Sequence, residues 1–310
     1  METSTSRVAS SPVFSLRAWS WWVLQFPITR IVLAFVFVLV PTLLIQAGLK
    51  MVLAAAGQPD NPYLKSLAAY LVAMVACLGY AAYVRLIERR AVTELGRSGA
   101  VIEFLTGASI GAALAAATVG VLVVLGMYRV VGLNSPVVCI LPLALGVLAG
   151  IVEEILMRLI VFRIAEEWFG SWIALMLSAA LFGYLHFGNP GATIASSAAI
   201  GLEAGVLLAA AFLLTRRLWL AAGIHAAWNF TQSGIFAIAG SGVRGKGLFL
   251  PQVAGPKWLT GGATGVEASV VAVLFCTAAA VVILIRAIRR KRVIGPNWKL
   301  QPGSAGSIPP

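Results

Sequence analysis

The chain contains only two histidines, His186 and His225, and both fall in long apolar stretches. Imidazoles in such a setting need polar partners, and the sequence supplies a short set of them. Glu153, Glu154 and Arg158 interrupt the apolar run AGIVEEILMRLIVF, and Asn229 follows His225 by four residues, one helical turn along the same face. An ionised side chain near the middle of a membrane helix costs ~2.5–3.5 kcal/mol, so its presence calls for a compensating interaction or a function. Glu154 and Arg158 are spaced for a same-face ion pair with the acid on the N-terminal side. Glu153 projects about 100° away from Glu154 and has no basic residue four positions on. One carboxylate is thereby tied and the other is available. Convergence of Glu153, His186, His225 and Asn229 would satisfy all four groups at once. A carboxylate in a water-poor cavity suits base catalysis, and fixed donors there stabilise developing charge better than water does. Each residue also has a plainer reading: Glu154–Arg158 as a structural pair, the histidines as interhelical donors, Asn229 as helix glue.

The elements that must position these residues follow from composition. Of 310 residues, 60% are hydrophobic and 11% charged, against roughly 25% charged in a soluble domain. Several apolar runs exceed the ~18 residues that mark a membrane helix. The predicted fold is all-α, a polytopic transmembrane bundle of about eight spans: 31–49, 67–87, 104–127, 137–164, 172–187, 192–214, 218–238 and 268–285. Turn residues separate them, notably Gly57 to Pro62, Gly188 to Gly191, and a glycine-rich stretch from Gly240 to Gly265 that reads as a connector in preference to a lid. No strand-like alternation intervenes. The predicted organisation is an N-terminal tail (1–30), one membrane domain (31–288) and a basic C-terminal tail (289–310).

The net charge of +12 lies in short clusters between apolar runs, which fits lipid headgroups and excludes a nucleic-acid-binding face. With eight crossings, sixteen Lys and Arg residues share the side of both termini and six lie opposite, so both termini are expected in the cytoplasm. Cys77, Cys139 and Cys276 show no metal or disulfide spacing. The N-terminus lacks signal-peptide features, and Trp19, Trp21 and Trp22 read as an interfacial anchor. Glu166 and Glu167 fall at an expected cytoplasmic turn and read as solvated; Glu203, inside a span, reads equally as packing or support of the site and as a catalytic group. Counted from a turn near Phe169, Glu153 and His186 lie at similar depth, 16 and 17 residues away. His225 comes only eight residues after Arg217, which places it nearer the cytoplasm unless its helix tilts.

Three segments together resemble the CPBP family, which includes CAAX prenyl endopeptidases and bacterial bacteriocin-processing or abortive-infection-like proteins. The family pattern of E-E-x-x-x-R, F-x-x-x-H and H-x-x-x-N, each on its own helix, matches Glu153 to Arg158, Phe182 to His186 and His225 to Asn229. The resemblance runs from about 141 to 238 and implies an intramembrane endopeptidase. In it Glu153, assisted by His186, activates water; His225 and Asn229 stabilise the oxyanion; Glu154 and Arg158, with Phe182, support the site. It implies a membrane-associated and, in some members, lipidated peptide or protein as substrate, in the lipid bilayer. A bacterial plasma membrane is the expected setting. Zinc is the one cofactor the donors Glu153, His186 and His225 could hold; the reading leans to metal-free, glutamate-dependent chemistry. Two rivals stand beside it: a transporter whose buried carboxylates bind cations or relay protons, and a non-catalytic immunity-type membrane protein.

Overall fold

The structure, a computed structural model, describes residues 23–243 and 245–296. The tryptophan anchor at Trp19, Trp21 and Trp22, residue Arg244, and the tail from 297 onward lie outside the described residues. The architecture is mostly helical, and six helices are long and apolar enough to cross a membrane.

Helix α1 (Pro27–Ala55) opens with proline at its first position, where no amide hydrogen is needed. It buries Arg30, Ala34, Val38 and Thr42, a stripe at four-residue spacing, and exposes Val32, Val36 and Val40. Helix α2 (Pro62–Tyr83) is capped by Asn61, whose side chain accepts from the amides of Tyr63 and Leu64 at 3.0 and 3.2 Å. It runs on through a π-helical segment, Val84–Glu88. Helix α3 spans Ala100–Val124.

Helix α4 (Ile140–Glu154) continues through a π-helical stretch, Ile155–Phe162, into α5 (Arg163–His186). The run breaks at Gly170, whose φ of 77° and ψ of 169° suit glycine alone. The chain folds back there: the Ser178 hydroxyl donates to the Met157 carbonyl at 3.2 Å, and Glu153 meets His186. Both pairs are centred on the break. Helix α6 (Ile194–Ile200) leads through a π turn (Gly201–Gly205) into α7 (Val206–Thr215). Helix α8 (Leu218–Asn229) ends in a π turn, Phe230–Ile235. A one-turn helix α9 (Lys257–Thr260) precedes the last long helix, α10 (Val270–Arg289).

Helix α8 lies between α3 and α4, and small residues set its spacing. A Cβ on Gly150 of α4 would stand 2.7 Å from the Ala222 carbonyl, and one on Gly146 would stand 2.7 Å from that of Ala226. Backbone therefore meets backbone along this seam, which brings Glu153 and Glu154 within reach of His225.

Three expectations need correction. A two-stranded antiparallel ribbon is present, β1 (Tyr128–Leu133) with β2 (Phe249–Val253), carrying a bulge between Val130 and Gly132. Its strands lie some 120 residues apart in sequence, so no hairpin signal announces it. The glycine-rich 240–265 stretch is not a plain connector, because it contains β2 and α9 and packs onto the site. Glu166 is not solvated: it is buried, bonded to Ser171 and twice to Arg216.

Candidate active site

Glu154 and Arg158 are fully buried, one turn apart on the α4 run, with Nε 3.1 Å from Oε2. Arg158 also donates to the Gly205 carbonyl at 3.1 Å, and its guanidinium carbon lies 4.7 Å from the centre of the Phe182 ring. The second Glu154 oxygen accepts from His225 Nδ1 at 2.9 Å. Glu154 therefore links α4 to α8 and orients an imidazole.

His186 closes α5, and its Nδ1 lies 2.8 Å from the Phe182 carbonyl. A carbonyl only accepts, so Nδ1 carries the proton. Facing a carboxylate, Nδ1 of His225 does the same. Both rings consequently turn Nε2 toward Glu153, whose Oε2 lies 4.0 Å from that of His186 and 3.9 Å from that of His225. These gaps exceed a direct hydrogen bond. One water at about 2.8 Å from each partner can stand at the apex of either pair. Phe182 packs against both imidazoles, with ring centroids at 4.5 and 5.9 Å. The Glu153 side chain is 38% exposed, so the group that is not tied down is also the group that can be reached.

His225 meets Glu153 and Glu154 despite the depth mismatch noted for it. Arg216, in the turn between α7 and α8, docks on Glu166. The π-helical stretch between Glu154 and Arg163 widens the helix and shortens the climb back to the turn.

Asn229 is half-buried and lines a cavity of about 30 Å³ with His186, His225, Glu203, Ser241 and Glu267. That space exceeds the roughly 10–15 Å³ a water needs. Glu153 is not among the residues that line it. Glu203 takes a hydrogen bond from Cys276 at 3.6 Å, while its other oxygen is buried without a hydrogen-bond partner among the described residues.

Glu267, Ser241 and Gln232 are site neighbours that the sequence reading missed. The Ser241 amide donates to Glu267 at 2.6 Å, and Gln232 donates to the Ala239 carbonyl. Burial pushes the Glu267 carboxyl up to about 7, against the pull of its bonds from Ser241 and Gln232. Nothing in its local sequence distinguishes it from an ordinary acid at a membrane boundary.

The donors Glu153, His186 and His225 have zinc-like chemistry, with both Nδ1 atoms engaged as in metal sites. Their separations are wider than the roughly 3.3 Å between ligands of tetrahedral zinc. Among the described residues no group of three His, Cys, Asp or Glu is placed to hold a metal.

Residues 134–231 match the family described as type II CAAX prenyl endopeptidase Rce1-like. No curated protein and no solved structure matches the chain. The matched segment covers about a third of the sequence and contains Glu153, Glu154, Arg158, Phe182, His186, His225 and Asn229. The segment that bears the candidate site is therefore similar to the Rce1-like type II CAAX prenyl endopeptidase family, and further membrane-length helices frame it.

Proposed function

We propose that this chain is an intramembrane endopeptidase that cleaves a peptide bond of a membrane-associated or lipidated substrate with water activated by Glu153. The observation that carries this reading is the position of Glu153: its Oε2 stands one water away from Nε2 of both histidines in the chain. Water held between Glu153 and His186 gives its proton to the carboxylate as it attacks the scissile carbonyl. His225, held by Glu154 and entering the step as the imidazolium with its second proton taken from solvent, points Nε2–H at the developing oxyanion and keeps that proton throughout, and Asn229 supplies a second donor. The proton on Glu153 passes to the leaving amine. Arg158 fixes Glu154, and Phe182 packs the imidazoles in place.

The same proposal takes the break at Gly170 as a membrane turn and α8 as a crossing, giving eight spans with both termini in the cytoplasm. No step is routed through a metal.

The test compares peptide termini in membranes from cells expressing the wild type or Glu153→Gln at matched levels, with and without a chelator. New termini only with wild type, surviving chelation, are expected. Loss on chelation with recovery on added zinc would bring a metal into the site, and identical termini in both samples would remove the hydrolase reading. The partnerless oxygen of Glu203 keeps cation or proton transport as the second reading. Flux across proteoliposomes that depends on Glu203, without proteolysis, would establish it.

A further inference from the structure

Among the described residues the ribbon leaves one edge of β2 unclaimed, because β1 is its one neighbour in the sheet. The Ala254 amide donates to the Met127 carbonyl at 2.9 Å, which fixes the phase of the ladder. Counting back from it, Gln252 and Leu250 direct their backbone groups to β1, while Val253, Pro251 and Phe249 direct theirs away. No hydrogen bond to these outward groups is found among the described residues. Two amide donors and three carbonyls thus line the free edge, since Pro251 contributes only an acceptor.

This edge forms one wall of a groove of about 720 Å³, closed on the other side by Ala237 to Ala239 and by Lys257, Thr260 and Gly262. That size is in the range of specific ligand sites, roughly 300–1,000 Å³. Lys246 and Lys257 are exposed along it, and no acid lines it. The floor is tied to the candidate active site through the chain. Ala237 to Ala239 leave the helix that bears His225 and Asn229, and Gln232 holds the Ala239 carbonyl. The Gly242 amide bonds Thr264 at 3.0 Å, and a Cβ on Gly191, in the turn after His186, would meet Ala263 at 2.8 Å.

We propose that the free edge of β2 is a docking strand for an extended, acidic segment of the substrate. The word substrate rests on the hydrolase reading above; the pairing does not. A scissile carbonyl inside a helix is hydrogen-bonded and shielded. Strand pairing beside the site holds the segment extended, main-chain bonds supply affinity, and the two lysines supply preference for acidic side chains. A second copy of the chain is a poorer occupant, because edge-to-edge pairing would set lysines against lysines across Pro251.

The experiment uses the full chain carrying Glu153→Gln in lipid nanodiscs and two extended ten-residue peptides, matched except that one is Glu-rich and the other Lys-rich. A third probe is the acidic peptide N-methylated at alternate residues along one edge. Expected are saturable binding of the acidic peptide, about tenfold weaker binding with Lys246→Glu/Lys257→Glu, as two rim charges allow, and a comparable loss for the N-methylated probe. Equal binding of both charges, indifference to N-methylation, or no binding would overturn the docking strand, as would chain dimers that pair through β2. Cleavage separates this from the hydrolase reading. Docking without any Glu153-dependent cleavage would sink the hydrolase and leave the strand. Glu153-dependent cleavage indifferent to charge and N-methylation would do the reverse.

Discussion

Two polar clusters sit in this apolar bundle, and they are built on opposite rules. Around the reversal at Gly170, carboxylates and guanidiniums meet directly. Glu88 bonds Arg30 at 2.6 Å, Arg163 at 2.7 Å and Arg90 at 2.7 Å; Arg90 also holds Glu94 at 2.7 Å, and Arg163 holds Glu167 at 2.9 Å. This network ties α1, α2 and the α4–α5 run at one end, and Arg216 on Glu166 adds the turn before α8. About twelve residues deeper, Glu153 approaches its two imidazoles no closer than 3.9 Å and accepts no direct hydrogen bond among the described residues. The clamp pairs its charges directly, as the candidate site pairs Glu154 with Arg158 and His225, whereas Glu153 is left with a water-sized interval to its partners. Ionised groups in a membrane protein are thus sorted by whether their partners touch them.

The comparison predicts opposite responses to similar substitutions. Glu153→Gln should lower cleavage by about 10²–10⁴-fold, the usual worth of a general base, and leave thermal unfolding in detergent unchanged because no direct bond is lost. If this variant unfolds early, the distinction between the clusters fails. Glu88→Gln should do the converse. Three arginines lose their common partner, and breaking a buried pair costs about 3–5 kcal/mol. Melting temperature and yield should fall while cleavage per folded molecule persists; selective loss of cleavage at wild-type stability would instead connect the clamp to the chemistry. Gly150→Ala tests the seam between them. Its Cβ would stand 2.7 Å from the Ala222 carbonyl, so α4 and α8 must part, at about 1–3 kcal/mol of overpacking. The expected result is a stability loss smaller than that of Glu88→Gln, with cleavage reduced as His225 withdraws from Glu154.

The sequence made one of these clusters legible and hid the other. Glu153, Glu154, Arg158 and both histidines stand out because charge is costly inside apolar runs, and the reversal near Phe169 equalises the depth of Glu153 and His186. Glu166 misled for the same reason in reverse: an acid beside a turn looks solvated, and only the fold shows Arg216 and Ser171 closing over it. The depth of His225 was illegible because it depends on where the α7–α8 turn docks and on π-helical stretches that leave no periodic trace. The ribbon escaped because each strand is five or six residues long with its partner far away in the chain. Ser241 and Glu267 reach the cavity only through that long-range folding.

The smallest predicted effect concerns Glu267, which belongs to neither cluster. Clamp carboxylates gain direct cationic partners on folding. Glu267 instead enters a buried position where it meets the Ser241 amide and Gln232 but, among the described residues, no guanidinium, and burial raises its carboxyl from 4.5 to about 7. The folded state therefore keeps the proton over a window in which the unfolded chain has released it. Within that window the unfolded state binds fewer protons, so stability falls as pH rises from about 4.5 to about 7 and is level on either side. Because Glu267 anchors Ser241, the loss should be local to the segment around 239–267. Amide hydrogen exchange there should quicken across this pH range in the wild type, after correction for the intrinsic pH dependence of exchange. Glu267→Gln should flatten that response, and exchange at the clamp around Glu88 should follow neither change. A segment whose protection rises with pH would mean that Glu267 finds a cationic partner after all, and the contrast between clamped and unclamped acids would then lose its third case.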